Sequence, residues 1–268
     1  MIEVIKQRFK ENASLNEKLN LTREFLQILC LKSLSDKGYF DHLAFLGGTS
    51  LRILFDLRRF SEDLDFSIHQ TKGFNLEKMD DDLRRSFALH NLPFEPKIKS
   101  ERNVHSLLMK FSGLLKELGL SPLAAQKLSI KLDINMNPPK GWNLIDTIVN
   151  KIYLFRIAHY DLPSLYAGKL HALLFRKYTK GRDLYDFVWY LGKKVKPNFI
   201  LLNAAIEQTQ KKDLGISEEN FKSFLLNKIQ HVDFDTAKKD VQRFLEDKKE
   251  LALFDLKTIQ NTIESTYS

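Results

Sequence analysis

The residues best suited to chemistry are two aspartates spaced two apart, Asp63 and Asp65, in Ser61-Glu62-Asp63-Leu64-Asp65-Phe66-Ser67. Leu64, Phe66 and Ile68 alternate with Asp63, Asp65 and Ser67, which predicts a strand with one apolar face. The other face would carry both carboxylates, about 7 Å apart along the chain. Like charges so placed repel each other unless a cation lies between them. Mg²⁺ takes such oxygen ligands together with substrate phosphates. The competing reading is an exposed strand face whose aspartates are solvated or paired with Arg58 and Arg59. Asp133 offers a third carboxylate, on the polar side of a second alternating run in which Leu128, Ile130, Leu132 and Ile134 point one way and Lys131, Asp133 and Asn135 the other. If the two strands are neighbours, three carboxylates converge, as two bridging metal ions require. If they are not, Asp133 is an ordinary surface aspartate.

Upstream, Leu46-Gly47-Gly48-Thr49-Ser50-Leu51-Arg52 reads as a strand end, a tight turn and a helix start. Glycine lets the backbone turn sharply and approach a ligand closely, and the first N–H groups of a helix are free to bind phosphate. Thr49 and Ser50 would add hydroxyl donors, one of them capping a short helix to about Phe55, and Arg52 a positive charge. A Gly-Gly pair before a helix is also a common plain turn. A second group lies in Lys169-Leu170-His171-Ala172-Leu173-Leu174-Phe175-Arg176. There, Lys169 and Arg176 are two helical turns apart, and Lys177, Lys180 and Arg182 follow without an intervening acid. Gly181 can end that helix, and Arg182-Asp183-Leu184-Tyr185-Asp186 begins another, with Asp183 and Asp186 sharing a face. The plain alternative is a solvated basic helix with local pairs such as Arg176 with Asp183.

The elements that must position these groups change character along the chain. Helical spacing predicts a buried helix from about Leu15 to Leu34, and Leu43–Leu46 reads as a short strand. A helix is expected over 76–90, a hairpin from strands near 94–98 and 104–111, and strands over 126–135 and 148–156. Beyond Pro163 the period is helical throughout, with helices expected near 163–178, 182–193, 197–211, 217–228, 235–246 and 250–265. These readings give an α+β chain with residues 1–160 as an α/β domain and 161–268 as a helical domain carrying the basic helix.

Composition narrows the class of partner. The net charge is +8, and the 83 residues from Asp186 onward hold 13 Lys/Arg against 13 Asp/Glu. The excess therefore lies wholly in the first 185 residues, 29 against 21, together with the glycine turn and the carboxylates. Polyanions such as RNA or nucleoside triphosphates suit that field. One cysteine, Cys30, set among leucines, excludes an internal disulfide. The first residues lack a signal-peptide pattern, and no apolar run is long enough to span a bilayer. A cytoplasmic protein without membrane contact is expected. The seven histidines show no metal-ligand spacing, and there is no Gly-x-x-x-x-Gly-Lys-Ser/Thr.

Leu46-Gly47-Gly48-Thr49-Ser50-Leu51-Arg52 followed by Arg59-Phe60-Ser61-Glu62-Asp63-Leu64-Asp65-Phe66-Ser67 resembles the first motif of the AbiEii-type nucleotidyltransferases. These are toxins of bacterial abortive-infection toxin–antitoxin systems, within the DNA polymerase β-like superfamily. The gap between glycines and carboxylates is longer than in the broad superfamily and normal for this branch. The resemblance is densest over 44–68. Asp133 matches the later lone acid of the superfamily pattern. Lys-Leu-x-Ala-Leu-x-x-Arg and then Arg-Asp-x-Tyr-Asp resemble the family's third and fourth motifs, which implies Lys169 as a nucleotide-binding lysine and Asp183 or Asp186 as the acid near it. The fold implied is a nucleotidyltransferase-like mixed sheet flanked by helices and followed by a mostly helical region.

The activity implied is NMP transfer from an NTP with Mg²⁺ (or Mn²⁺), with metal at Asp63, Asp65 and Asp133 and catalysis by these three with Lys169. Nucleotide contacts are then expected from Gly47, Gly48, Thr49, Ser50, Arg52, Lys169, Arg176, Arg182, Asp183 and Asp186. Resemblance further implies an RNA acceptor such as the tRNA 3′ end and a cognate antitoxin protein. Two rival functions remain open in the sequence: transfer to a protein or small molecule, and a non-catalytic nucleotide- or RNA-binding regulator.

Overall fold

Ser14 begins the first long helix of the computed structural model, which describes residues 1–267. Its hydroxyl accepts the Glu17 N–H at 3.2 Å, a cap that contributes about 1 kcal/mol. This helix, α2 (Leu15–Asp36), follows a single-turn α1 (Ile2–Lys6) and buries Phe25, Leu26, Ile28, Leu29, Cys30 and Leu31 on several sides. By its internal contacts the chain forms two compact units. The first comprises Met1–Asp56, Phe60–Pro138 and Ile145–His159; the second comprises Leu57–Arg59, Pro139–Leu144 and everything from Tyr160.

The first unit is built on β1 (Leu43–Leu46), α3 (Gly47–Leu54), β2 (Leu64–Ile68), α4 (Leu76–Leu89), β3 (Glu95–Ser100), β4 (Val104–Phe111), α5 (Leu114–Glu117), β5 (Leu128–Asn135), β6 (Leu144–Asn150) and β7 (Leu154–Tyr160). The seven strands form one mixed sheet in the order β3-β4-β5-β2-β1-β7-β6. β2 runs parallel to β5 and β1 parallel to β7, while β1/β2, β3/β4 and β4/β5 are antiparallel. The alternation in β5 has the expected consequence. Leu128, Ile130, Leu132 and Ile134 are buried with α2 against the strand, each worth roughly 1.5–3 kcal/mol on the usual scale. Lys131, Asp133 and Asn135 face the other way and remain exposed or half-buried.

The second unit is helical: α6 (Leu162–Phe175), α7 (Gly181–Lys193), α8 (Phe199–Gln210), α9 (Glu218–Ile229), α10 (Phe234–Val241), two 3-10 segments (Gln242–Phe244 and Lys248–Leu253) and α11 (Leu256–Thr266). Asp161 caps α6 by accepting the Ser164 N–H at 2.9 Å, with Pro163 in the first turn. α6 and α7 are locked by the stacked rings of Tyr166 and Tyr190, 4.2 Å apart. α7 starts hard against α10: a Cβ on Gly181 would lie 1.9 Å from the Ala237 carbonyl oxygen, so only glycine fits.

The α+β arrangement, a mixed sheet with helices followed along the chain by a mostly helical region, is the one expected, and the elements differ from expectation in places. The single strand expected over 148–156 is two strands, β6 and β7, joined by a turn at 151–153 that contains neither Gly nor Pro. The helix expected over 235–246 ends at Val241 and tightens into a 3-10 turn. The one expected over 250–265 is 3-10 up to Leu253 and α-helical only after the Asp255 cap. Among the described residues, no helix is long and apolar enough to cross a membrane.

Candidate active site

Sheet register decides where the three aspartates lie. In the parallel β2/β5 pair Asp65 stands directly opposite Asp133, although 68 positions separate them in the chain. Asp63 falls in the residue before β2 rather than within it, a small departure from the strand reading. All three carboxylates act on one cation, the Lys131 ammonium. It donates to Asp133 Oδ2 at 2.6 Å and its pKa is raised by that bond first, against the opposing cost of burial, and then by the charges of Asp133, Asp63 and Asp65. Ser106, opposite Asp133 on β4, donates its hydroxyl to Asp133 Oδ1 at 2.5 Å. The three acids therefore share one electrostatic neighbourhood. Neither Lys131 nor Ser106 stands out as a site residue in the sequence. The alternation of β5 puts Lys131 on the correct face, while Ser106 has no comparable signal.

Beside the pair, Leu46 of β1 lies opposite Asp65, so the glycine turn begins at the carboxylates. Gly47 has φ +82°, and a Cβ there would stand 2.2 Å from Asp65 Oδ2. Backbone conformation and the adjoining carboxylate both demand glycine at this position. α3 begins at Gly47 itself, with Leu46 as its cap residue and no capping side chain, so neither Thr49 nor Ser50 caps it. Both hydroxyls are turned inward instead. Thr49 Oγ1 donates to the Asp63 carbonyl, and Ser50 Oγ donates to the Gly47 carbonyl at 2.8 Å, both side chains being buried. The expected hydroxyl donors thus hold the turn to the strand, and the donors left for an anion are the uncapped backbone N–H groups of the first turn, Gly48 among them. Arg52 is likewise engaged, paired with Glu24 at 2.6 Å and lying over the Phe60 ring at 4.4 Å. It braces α3 rather than offering a free charge.

The second group assembles within the helical unit around two buried acids. Asp186 is fully buried and accepts two hydrogen bonds from Arg59, Nε to Oδ1 and Nη2 to Oδ2, each 2.6 Å. Lys169 Nζ lies 2.8 Å from Asp186 Oδ2 and 3.3 Å from Asp183 Oδ1, while Arg176 pairs with the other oxygen of Asp183. Burial alone would raise the Asp186 pKa, but Arg59 and Lys169 outweigh it and hold the carboxyl below its ordinary range. Arg176 sits just past the end of α6 and does pair locally with Asp183, as the plain reading of this segment has it. Arg182 lies over the Phe244 ring at 4.6 Å. His171 is packed, bonded to the Thr209 hydroxyl and stacked on Phe175, and its pKa is lowered by burial and then by Arg176.

Arg59 corrects the expectation most sharply. In the competing reading Arg59 could pair with Asp63 or Asp65, yet the carboxylate it grips, that of Asp186, lies 127 positions away. Residues 57–59 belong by their contacts to the helical unit, which no local pattern reveals.

Chemically, a close carboxylate pair on adjacent strands beside an uncapped helix start can hold a divalent cation and a phosphate together. Among the described residues no group of three or more His, Cys, Asp or Glu is placed so as to hold a metal ion by itself. Mg²⁺ does not require one, since it is commonly held by one or two carboxylates with water and substrate phosphates completing the shell.

Comparison with known proteins adds the family. The chain aligns over 92% of its length with 91% of JHP933 from Helicobacter pylori, at 19% identity and a TM-score of 0.55. It also aligns over 97% of its length with 96% of a provisionally assigned nucleotidyltransferase from H. pylori, at 19% identity and a TM-score of 0.52. At that identity the likeness is one of fold. No curated protein is a significant match. The sequence model of the nucleotidyl transferase AbiEii toxins of type IV toxin–antitoxin systems matches residues 29–262, a span that contains the glycine turn, all three aspartates and the Lys169 cluster. With that match over most of its 268 residues, the chain belongs to the AbiEii nucleotidyltransferase toxin family.

Proposed function

We propose that this chain transfers a nucleoside monophosphate from an NTP to an RNA end, in a reaction that depends on Mg²⁺ or Mn²⁺. The observation that carries the reading is the β2/β5 register, which sets Asp65 opposite Asp133 with the Gly47 turn against the Asp65 carboxylate. In the transfer, an acceptor hydroxyl oxygen forms a bond to the α-phosphorus, the bond from that phosphorus to the β-bridging oxygen breaks, and pyrophosphate leaves. When bound, one or two divalent ions supply positive charge along the triphosphate and polarise the reacting oxygens. Asp63 and Asp65 are the ligands proposed for them, with Asp133 assisting.

Asp133 is also the group proposed to take the acceptor proton. The Ser106 hydroxyl and the Lys131 ammonium fix the orientation of its two oxygens. The backbone N–H groups at the start of α3 are the donors proposed for the triphosphate tail, and Gly47 lets that helix start lie against the Asp65 carboxylate. Lys169 is the cation proposed to offset charge on the nucleotide, and Asp183 and Asp186 hold its ammonium in place. Chemistry of this kind rests on positioning and electrostatics more than on covalent participation. Family membership supports a toxin acting beside an antitoxin, and a tRNA 3′ end is the acceptor we favour.

The test is induced expression with growth followed in parallel with sequencing of tRNA 3′ ends, and purified protein incubated with radiolabelled NTPs and total RNA. Labelled tRNA with extended 3′ ends is the expected result. Growth arrest with unchanged ends, or label on protein or metabolites alone, would replace RNA as the acceptor.

A further inference from the structure

The sheet face that carries the aspartates continues outward to the edge strand, and its composition changes on the way. Across β3, β4 and β5 the register aligns Lys99 with Ser106 and Ser106 with Asp133; the next row is Lys97, Leu108 and Lys131, and the next Glu95, Lys110 and Ser129. With Asp133 paired to Asp65, the first row runs unbroken from the glycine turn through both carboxylates to Lys99, three strand spacings or roughly 14 Å from Asp65.

The opposite face of β4 and β5 is core, with Leu107, Met109, Ile130 and Leu132 fully buried. On the near face Lys97, Lys99 and Lys131 are exposed, and Lys110 is half-exposed beside Leu108. Lys99 is paired with Glu101, and the one acid in these rows outside the aspartates, Glu95, is bridged to Lys127. Among the described residues, Lys97 makes no ion pair, and Lys110, opposite Glu95, adds only to the charge that Lys127 already sets against that carboxylate. A rigid, pleated floor of lysines leading away from a carboxylate pair suits one kind of ligand: a strand with regularly spaced phosphates, whose terminal hydroxyl reaches the acids while its backbone stays on the cations.

We infer that the β3–β5 face, through Lys97, Lys99 and Lys110, is the track along which a single-stranded RNA acceptor end lies. This rests on the transfer reading above and adds where the acceptor binds.

The test uses the full chain and a 5′-labelled single-stranded RNA oligonucleotide, with binding measured from 50 to 400 mM salt. A Lys97→Glu/Lys99→Glu/Lys110→Glu variant is compared with a control of equal charge change at exposed lysines elsewhere, Lys10→Glu/Lys37→Glu/Lys72→Glu. Each single-strand phosphate that is no longer neutralised should lower the salt slope by about 0.7, so the sheet variant should lose about 2 from its slope and bind about 10- to 100-fold more weakly. The control should bind nearly as the parent does, and KM for the NTP should be unchanged in both. A Lys97→Gln/Lys99→Gln/Lys110→Gln variant, which reverses no charge on the edge strand, should show the same loss in smaller measure.

Equal weakening in the sheet and control variants, or an unchanged slope in the sheet variants, overturns the assignment. Slope loss in a chain that transfers no nucleotide to any RNA would sink the transfer reading while leaving the track in place.

Discussion

Replacing Arg59 by methionine isolates a charge pair sealed from solvent. Arg59 and Asp186 are 1% and 0% exposed and share two 2.6 Å hydrogen bonds. Removing one partner of such a pair costs about 3–5 kcal/mol, because the remaining charge stays buried without its counter-ion. Lys169, 2.8 Å from the same carboxylate, still offsets part of that charge, which puts the expected loss near the lower end, about 3 kcal/mol. In urea, with a slope of about 3 kcal/mol/M, the unfolding midpoint should fall by about 1 M.

The pH dependence follows from the direction of the Asp186 shift. In the parent its pKa lies below the ordinary 3.8, so the pair contributes stability that is complete above that value and is lost as pH falls through the lowered pKa. In Arg59→Met, burial is no longer opposed by the guanidinium, so Asp186 takes up a proton at higher pH than in the parent. The stability gap should therefore be widest near pH 7 and narrow as pH drops toward 4. Adding Asp186→Asn to Arg59→Met should recover part of the loss, a coupling read from the double-mutant cycle. A variant within 0.5 kcal/mol of the parent at pH 7, or a gap that widens on acidification, would refute this reasoning.

Other outcomes follow from single contacts. Gly47→Ala should cost roughly 1–2 kcal/mol for the left-handed backbone alone, displace the Asp65 carboxylate and abolish transfer; thermal melting and labelled-NTP incorporation check it. Gly181→Ala drives a methyl group to within 1.9 Å of the Ala237 carbonyl, so α7 must shift from α10. A fall in Tm of several degrees is expected, and an unchanged Tm would show that the helices yield freely. Burial pushes the Cys30 thiol from 9.0 up to about 12, so at pH 8 the native protein should resist a thiol reagent that labels it at once in 8 M urea. Lys169→Met should weaken NTP binding and Lys169→Arg restore little, because a planar guanidinium cannot reproduce a point charge shared by Asp183 and Asp186; nucleotide titration measures both.

Local pattern makes much of this molecule readable without its fold. β5 and β2 are visible because one face of each is apolar and period two is unmistakable in five to eight residues. The glycine turn is visible because Gly47 serves a backbone angle that other residues avoid. What pattern does not supply is any pairing between distant segments. The Asp65–Asp133 register and the Arg59–Asp186 pair are set by how elements pack, and Arg59 reads as a partner for its near neighbours until the helical unit claims it. Thr49 and Ser50 show a different limit. A hydroxyl beside a turn is equally suited to bind phosphate or to satisfy a buried carbonyl, and only burial tells which. The β6/β7 turn escapes the sequence reading because its three residues carry no breaker.

The most direct test of the central claim is Mn²⁺ binding followed by electron paramagnetic resonance, with a non-hydrolysable NTP analogue present. Parent protein is compared with Asp65→Asn and Asp133→Asn, two residues from separate stretches joined only by the β2/β5 register. Both substitutions should weaken Mn²⁺ binding at least about tenfold, on the scale seen when metal sites lose a supporting group, while thermal stability stays close to that of the parent. Undiminished binding in both variants would mean that these carboxylates do not hold the ion, and the assignment of this face as the site of transfer would fall with them.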